Sequence, residues 1–244
     1  MLQNKSLKIL ISGGQGKFAT QLVKFNTEHE LFTPSKKEMN VTSYWSIISF
    51  IRKVNPSIFI HAGAMTRPMV IHENDPDESI TNNIIGTSNV VLACMKYNIK
   101  LIYISTDYVY PQVSGCYKET DPVLPHTKYG WSKLGGECAV RLFKNSLILR
   151  ICMNTKPFPH KKALVDMTKS LIFDDEAAKI TLKLLDESGI INVGGESRSV
   201  YDFVKETNPD IEPMTLSEVS DVSMPKNSTL NVDKLKRIID DSTV

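Results

Sequence analysis

Leu7–Lys8–Ile9–Leu10–Ile11–Ser12–Gly13–Gly14–Gln15–Gly16–Lys17–Phe18–Ala19 decides how this chain folds. A short apolar run rich in β-formers reads as a buried strand. It passes straight into a glycine turn, and Phe18, Leu22, Val23 and Phe25 then mark one face of a helix. Strand, glycine turn and helix form the context a dinucleotide fingerprint needs. The glycines permit a tight turn and bring backbone N–H groups close to a pyrophosphate, and the helix N-terminus adds partial positive charge. The spacing Gly13, Gly16, Ala19 fits this use, with Gln15, Lys17 and Phe18 offering further contacts.

Working outward, Glu30–Thr33 is expected to be the second strand. An NAD site usually carries an acid about 20 residues after the glycines, for the ribose 2′-OH. Here that region reads Thr33–Pro34–Ser35–Lys36–Lys37, with no acid before Glu38. Ser35 and Lys36 suit a 2′-phosphate, so NADP is the expected cofactor, with NAD as the alternative. Ser43–Val54 predicts a helix with Trp45, Ile48 and Ile51 inward. Ser57–Ile60 predicts a third strand leading into His61–Ala62–Gly63–Ala64, small residues that let a flat cofactor approach the backbone. Arg67 follows, a candidate for an anionic ligand. Ser79–Tyr97 predicts a long helix with Ile80, Ile84, Val90, Val91 and Leu92 inward and Asn83 and Gly86 near its middle.

Leu101–Ile104 predicts a fourth strand that delivers Ser105–Thr106–Asp107 at its carboxyl end, where open α/β sheets bind ligands. A helix over Thr127–Leu142 carries Tyr129 and Lys133. Residues i and i+4 share a helix face. An ammonium beside a phenol is expected to lower its pKa and make Tyr129 an acid or base. Leu147–Leu149 predicts a fifth strand. Alternating strands and helices imply an α/β fold with a doubly wound parallel sheet. Beyond Arg150 the pattern loosens: a helix over Asp174–Leu185, a strand at Ile190–Val193, short helices over Ser199–Glu206 and Val232–Ile239, and a loop from Asn208 to Asn227. The expected division is a cofactor-binding domain over 1–155 and a small substrate-binding region over 156–244.

Composition narrows the class. Hydrophobic residues make up 41% of the 244 and charged residues 23%, which suits a soluble globular protein. A net charge of +2 with scattered lysines gives no reason to expect a nucleic acid partner. Cys94, Cys116, Cys138 and Cys152 have no zinc-like spacing, and are expected to be reduced thiols of a cytoplasmic protein. Residues 1–7 lack the apolar core of a signal peptide, and no window suggests a membrane span.

Taken together, these motifs resemble the extended short-chain dehydrogenase/reductase superfamily, and within it the dTDP-4-dehydrorhamnose reductase family. The glycine turn, the Asn40–Val41–Thr42 turn, His61–Ala62–Gly63–Ala64, Ser105–Thr106–Asp107–Tyr108–Val109–Tyr110 and Tyr129-x-x-x-Lys133 occur in the family order. Gly194–Gly195, Ser199–Phe203 and Pro225–Leu230 resemble its later signatures. The resemblance implies a Rossmann fold and NADPH-dependent reduction of a 4-keto-6-deoxy sugar nucleotide. It implies Tyr129 as general acid, Lys133 on the nicotinamide ribose and Thr106 on the substrate carbonyl. It implies Asn40 and Val41 beside the adenine, Ala62, Gly63 and Ala64 against the cofactor, and Arg67, Asp107 and Arg150 toward the substrate. A homodimer is an open expectation.

Three departures bear on this. His61 and Asn40 stand where the family usually has Asn and Asp. Asp107 is followed by Tyr108, where related dehydratases carry Glu and related epimerase/reductases Cys, so simple reduction fits better than dehydration or epimerisation. The interval from Arg150 to Asp174 is clearly shorter than usual, which predicts a reduced substrate pocket. The regulatory β subunits of methionine adenosyltransferase resemble the same family, so a non-catalytic NADP-binding role stands as the alternative.

Overall fold

The computed structural model describes residues 6–66, 68–111, 113–219 and 224–241. The opening run is β1 (Lys8–Ser12), and the helix after the glycine turn is α1 (Lys17–Phe25). There follow β2 (Glu30–Phe32), α2 (Tyr44–Val54) and β3 (Ile58–His61). Next come α3 (Met69–Asn74), α4 (Asp77–Ser79), a π-helical stretch (Ile80–Ile85) and α5 (Gly86–Tyr97). β4 (Lys100–Thr106) ends in a 3₁₀ turn (Asp107–Val109), and α6 (Lys128–Val140) leads to β5 (Ser146–Ile151).

Beyond residue 151 the elements are shorter. They are β6 (Met153–Asn154), β7 (Lys162–Leu164), β8 (Thr168–Lys169), β9 (Ile172–Phe173), α7 (Asp174–Lys183) and β10 (Gly189–Val193). β11 (Arg198–Ser199), α8 (Val200–Lys205), β12 (Glu212–Met214) and α9 (Asp233–Asp241) complete the chain.

The main sheet runs β10–β5–β4–β3–β1–β2, and every pairing in it is parallel. Side chains alternate across it. Ile9 and Ile11 share one core with Ile60, Ile104 and Leu149, covered by α1 and α7. Leu10 and Phe59 share the other with Leu101 and Tyr103, under α2, α5 and α6. The order reverses between β1 and β3, since β1 leads to β2 on one side and pairs with β3 on the other. Their carboxyl ends therefore open the crevice where such sheets take ligands.

The sheet takes strands from both sides of residue 155. Cys152 N donates to Val193 O, and β10 pairs with β5 along its length. The division expected at 155 is thus not a boundary of the sheet. A third core, with Tyr110, Cys152, Met167, Phe203 and Leu230, unites the later segments with the loop after β4.

Several expectations change. Trp45 and Val23 are exposed; Ile47 takes the inward place beside Ile48 and Ile51. The long helix is not uniform. Its wider π turn shifts the angular phase, leaving Ile80 in solvent and burying Asn83; Leu92 also faces out. The expected loop at 208–227 contains β12 and a 3₁₀ turn (Leu216–Glu218). All four cysteines are free. Among the described residues no helix is long and apolar enough to cross a membrane.

Candidate active site

The crevice is lined by backbone that tolerates no side chains. Gly13 has φ +71°, and a Cβ there would lie 2.8 Å from the Gly63 Cα. A Cβ on Gly14 would lie 2.4 Å from the Thr33 carbonyl carbon. Gly16 N closes the turn on Gly13 O at 2.8 Å, and α1 begins at the next residue. This bare cradle at a helix start fits a dinucleotide pyrophosphate. Phe18 packs its side chain in the core, the inward face expected of it, and so has only its backbone to offer a cofactor. Lys17 is exposed at the same end, with Thr155 Oγ1 3.5 Å from its Nζ. Gln15 Nε2 reaches Thr33 O at 3.5 Å.

The loop after β2 is less free than its composition suggests. Ser35 N and Oγ both donate to Glu38 Oε2 at 2.8 Å, and these bonds hold the Glu38 carboxyl below its ordinary pKa. The Ser35 hydroxyl is thus committed, leaving Lys36 and Lys37 as the exposed cations of this loop. Asn40 Oδ1 accepts from Thr42 N and Oγ1. Val41 O accepts from Asn89, and its side chain lies against Gly86.

Below the crevice runs a directed chain of hydrogen bonds. Gly63 N donates to Ser12 Oγ (3.3 Å), which lies 2.6 Å from His61 Nδ1. His61 Nε2 lies 3.0 Å from Thr87 Oγ1, which donates to Asn83 O. Thr87 has given its proton away, so His61 donates from Nε2 and accepts at Nδ1. Burial, and then the Lys133 charge, push the His61 pKa down to about 3. Asn83 continues the chain: Oδ1 accepts from Met65 N, while Nδ2 donates to Met65 O and Ser132 Oγ. Ser132 Oγ donates to Tyr129 O. The network ties the glycine crevice, with its Ala62–Gly63–Ala64 wall, to α6.

Thr127 caps α6 by accepting from Gly130 N. Tyr129 sits in its first turn, near enough to Thr106 for that side chain to favour the ionised phenol. Lys133, one turn on, is 3% exposed, with Nζ 4.2 Å from the Tyr103 ring centre. The expected electrostatics are corrected here. Burial, and then the Asp107 carboxylate, raise the Tyr129 pKa; Thr106 and Lys169 act against them. It is Lys133 that gives way: burial lowers it to about 7, with Glu137 opposing. Tyr129 is therefore a phenol that keeps its proton.

Two expected substrate contacts are corrected. Arg150 is buried, with Nε and Nη2 on Glu137 and Nη1 on Tyr110 Oη, so its guanidinium is committed to the interior. Asp107 Oδ2 takes Lys169 Nζ and Ser228 Oγ, each at 2.8 Å, and Oδ1 takes Thr106 Oγ1 at 3.3 Å. Three of the carboxylate's roughly four lone-pair sites are thus taken, which leaves little of it for a substrate. Arg67 lies outside the described residues. A cleft of about 550 Å³ is lined by Glu119, Asp121, Arg141, Arg150 and Lys234, among others, and touches none of Thr106, Tyr129 and Lys133.

Lys169 and Ser228 are additions. Ser228 lies in the Pro225–Leu230 stretch already singled out by sequence. Lys169 sits in a two-residue strand with no local signal.

Residues 7–181 match the profile of the RmlD substrate binding domain family. The chain belongs to this family. It is 31% identical over 148 residues to the dTDP-4-dehydrorhamnose reductase of Aggregatibacter actinomycetemcomitans, covering 59% of this chain and 50% of that one. It is 33% identical over 121 residues to methionine adenosyltransferase 2 subunit beta of Pongo abelii, covering 48% and 35%. The chain thus spans half or less of these curated relatives. The crystal structure of dTDP-4-dehydrorhamnose reductase from Bacillus anthracis, in complex with NADP, superposes with a TM-score of 0.84. At 22% identity over 96% of this chain and 92% of that one, this likeness speaks to the fold.

Proposed function

We propose that this member of the RmlD substrate binding domain family is an NADPH-dependent carbonyl reductase of a 4-keto-6-deoxy sugar nucleotide. One observation carries the reading: Tyr129, close to Thr106 at the carboxyl end of β4, stands one helical turn from Lys133 on α6. The cradle of Gly13, Gly14, Gly16 and Gly63 would hold the pyrophosphate, Lys36 the 2′-phosphate and Lys133 the nicotinamide ribose. Bound there, a reduced nicotinamide supplies the hydride. Thr106, whose hydroxyl donates to Asp107 in the free protein, would turn that proton to the carbonyl oxygen and orient it. Tyr129 donates its phenolic proton to that oxygen, and the phenolate left behind regains a proton from solvent. Near neutrality the phenol is protonated and so has a proton to give, while its raised pKa makes it a weaker acid than one matched to the working pH. The chain is further taken to be cytoplasmic and to form a homodimer.

The test is NADPH oxidation with dTDP-4-dehydrorhamnose. Tyr129→Phe lowers turnover by about 10²–10⁴-fold, the usual worth of a general acid, with NADPH affinity unchanged. Undiminished turnover refutes the assignment. Lys36→Ala weakens NADPH binding and leaves NADH binding alone. The second reading, an NADP-binding regulatory subunit, draws on the commitment of Asp107 and Arg150 to internal partners. NADPH binding without consumption of any keto-sugar nucleotide favours it.

A further inference from the structure

His72 lies on α3, is fully buried, and rests edge-on against Tyr129, with ring centres 5.1 Å apart and planes at 60°. Its Nδ1 is 2.6 Å from Ser79 Oγ. Its Nε2 is also buried, and among the described residues it has no hydrogen-bond partner. A buried polar atom left without a partner calls for an explanation. Here the surroundings indicate one, because α3 is fastened to the helix that bears Tyr129. Glu73 Oε1 accepts from Lys128 N at 2.8 Å, and the Lys128 ammonium donates back to Glu73 O. The residue beside His72 thus caps the first turn of α6, and the imidazole is held against the phenol from its own helix.

We propose that His72 is a substrate-binding residue whose Nε2 takes a hydroxyl on the carbon next to the reacting carbonyl. The proposal rests on the carbonyl-reductase reading and names the side chain that selects a hydroxylated substrate. Thr106 and His72 both flank Tyr129. A substrate whose carbonyl oxygen is held beside Tyr129 thus has the imidazole as a neighbour across the same phenol ring. Burial keeps His72 largely neutral, against the raising effects of the Thr66 backbone and the Glu73 carboxylate. A neutral ring has one donor and one acceptor nitrogen. Whichever role Nδ1 plays toward Ser79, Nε2 keeps the other, and a hydroxyl group can meet either.

The experiment uses the full chain loaded with NADP⁺, so that no turnover occurs. Calorimetry compares dTDP-4-dehydrorhamnose with its analogue lacking the hydroxyl adjacent to the carbonyl. The wild type is expected to bind the analogue about tenfold more weakly, the worth of one hydrogen bond. His72→Phe keeps a ring against Tyr129 and removes both nitrogens. It is expected to bind the two ligands equally, at the wild type's affinity for the analogue, with NADP⁺ affinity unchanged. His72→Gln, which restores a polar group, is expected to recover part of the discrimination and serves in place of His72→Phe should that variant not fold. A His72→Phe protein that still discriminates tenfold, or that loses affinity for both ligands alike, overturns the assignment. A wild type that oxidises NADPH while His72→Phe still discriminates sinks the His72 role alone. A wild type that binds neither ligand and consumes no NADPH sinks the reductase reading along with it.

Discussion

Glu137 and Arg150 meet at 2.8 Å beneath α6, both side chains shut away from solvent. Ser105 at the end of β4 donates to the same carboxylate, so β4, β5 and the helix bearing Tyr129 and Lys133 are joined at one point. Breaking a buried pair by removing one partner leaves an uncompensated charge, at a cost of about 3–5 kcal/mol. Arg150→Met is therefore expected to lower stability by about that much. Arg150→Met with Glu137→Leu should recover most of it, because neither charge is then stranded. Urea unfolding of the three proteins checks this, and a single-variant loss under about 1 kcal/mol contradicts it.

Lys133 gives a prediction about pH. Its folded pKa of about 7 lies below the ordinary 10.5 because burial disfavours the ammonium. Between these values the unfolded chain holds a proton the folded chain lacks, so stability without cofactor rises with pH across that window. Below about pH 7 both states are protonated and this contribution is flat. A ribose oxygen accepting from Nζ favours the ammonium. NADPH binding should therefore take up a proton above pH 7 and weaken by up to tenfold per pH unit as pH rises. Calorimetry in buffers of different ionisation enthalpy measures the uptake. Lys133→Met should abolish it and flatten the stability curve between pH 7 and 10.5.

What the sequence made legible was local. The run from Leu7 to Ala19 specifies strand, turn and helix through neighbouring residues, and Tyr129 and Lys133 share a helix face by spacing alone. The partners that complete the site come from far along the chain. Asp107 finds Lys169 and Ser228 in segments whose short strands leave no periodic pattern. Charge balance at Tyr129 depends on those partners, which is why spacing alone suggested Lys133 as the group that tunes the phenol. Arg150 shows the same limit. The family resemblance points its guanidinium at the substrate, and only the fold brings Glu137 beside it. The π turn that buries Asn83 likewise depends on tertiary partners, here Met65 and Ser132.

His61 carries an acid-sensitivity that can be measured. Its folded pKa is about 3 against an ordinary 6.5, because burial disfavours the imidazolium. Between pH 6.5 and 3 the unfolded chain binds a proton the folded chain refuses, so stability falls as pH falls through that range. Above pH 6.5 His61 is neutral in both states and contributes no slope. His61→Asn removes the titrating group and should flatten this part of the stability curve. At neutral pH the variant should be less stable by about 1–3 kcal/mol, since a shorter side chain leaves Ser12 or Thr87 without its partner. Melting temperatures of both proteins from pH 4 to pH 8 test the two effects together. An unchanged acid slope in the variant would place the sensitivity elsewhere.

Gly13 and Gly189 offer a matched pair for the cofactor cradle. Both have positive φ, +71° and +83°, so alanine at either position bears a similar backbone cost of about 1–2 kcal/mol. They differ in surroundings. A Cβ at Gly189 meets nothing within 4 Å, whereas one at Gly13 lies 2.8 Å from Gly63 Cα and 2.9 Å from Gly63 N. That contact is backbone on backbone, so relief requires the ends of β1 and β3 to part. Parting them displaces the Gly63 N–H from Ser12 and widens the crevice that would receive the pyrophosphate. Gly13→Ala should therefore weaken NADPH binding by tenfold or more, in addition to a stability loss exceeding that of Gly189→Ala. The latter should bind NADPH as the wild type does. Fluorescence titration gives the affinities and urea unfolding the stabilities. Equal NADPH affinity in the two variants would mean that the close approach of Gly13 and Gly63 does not shape the cofactor site.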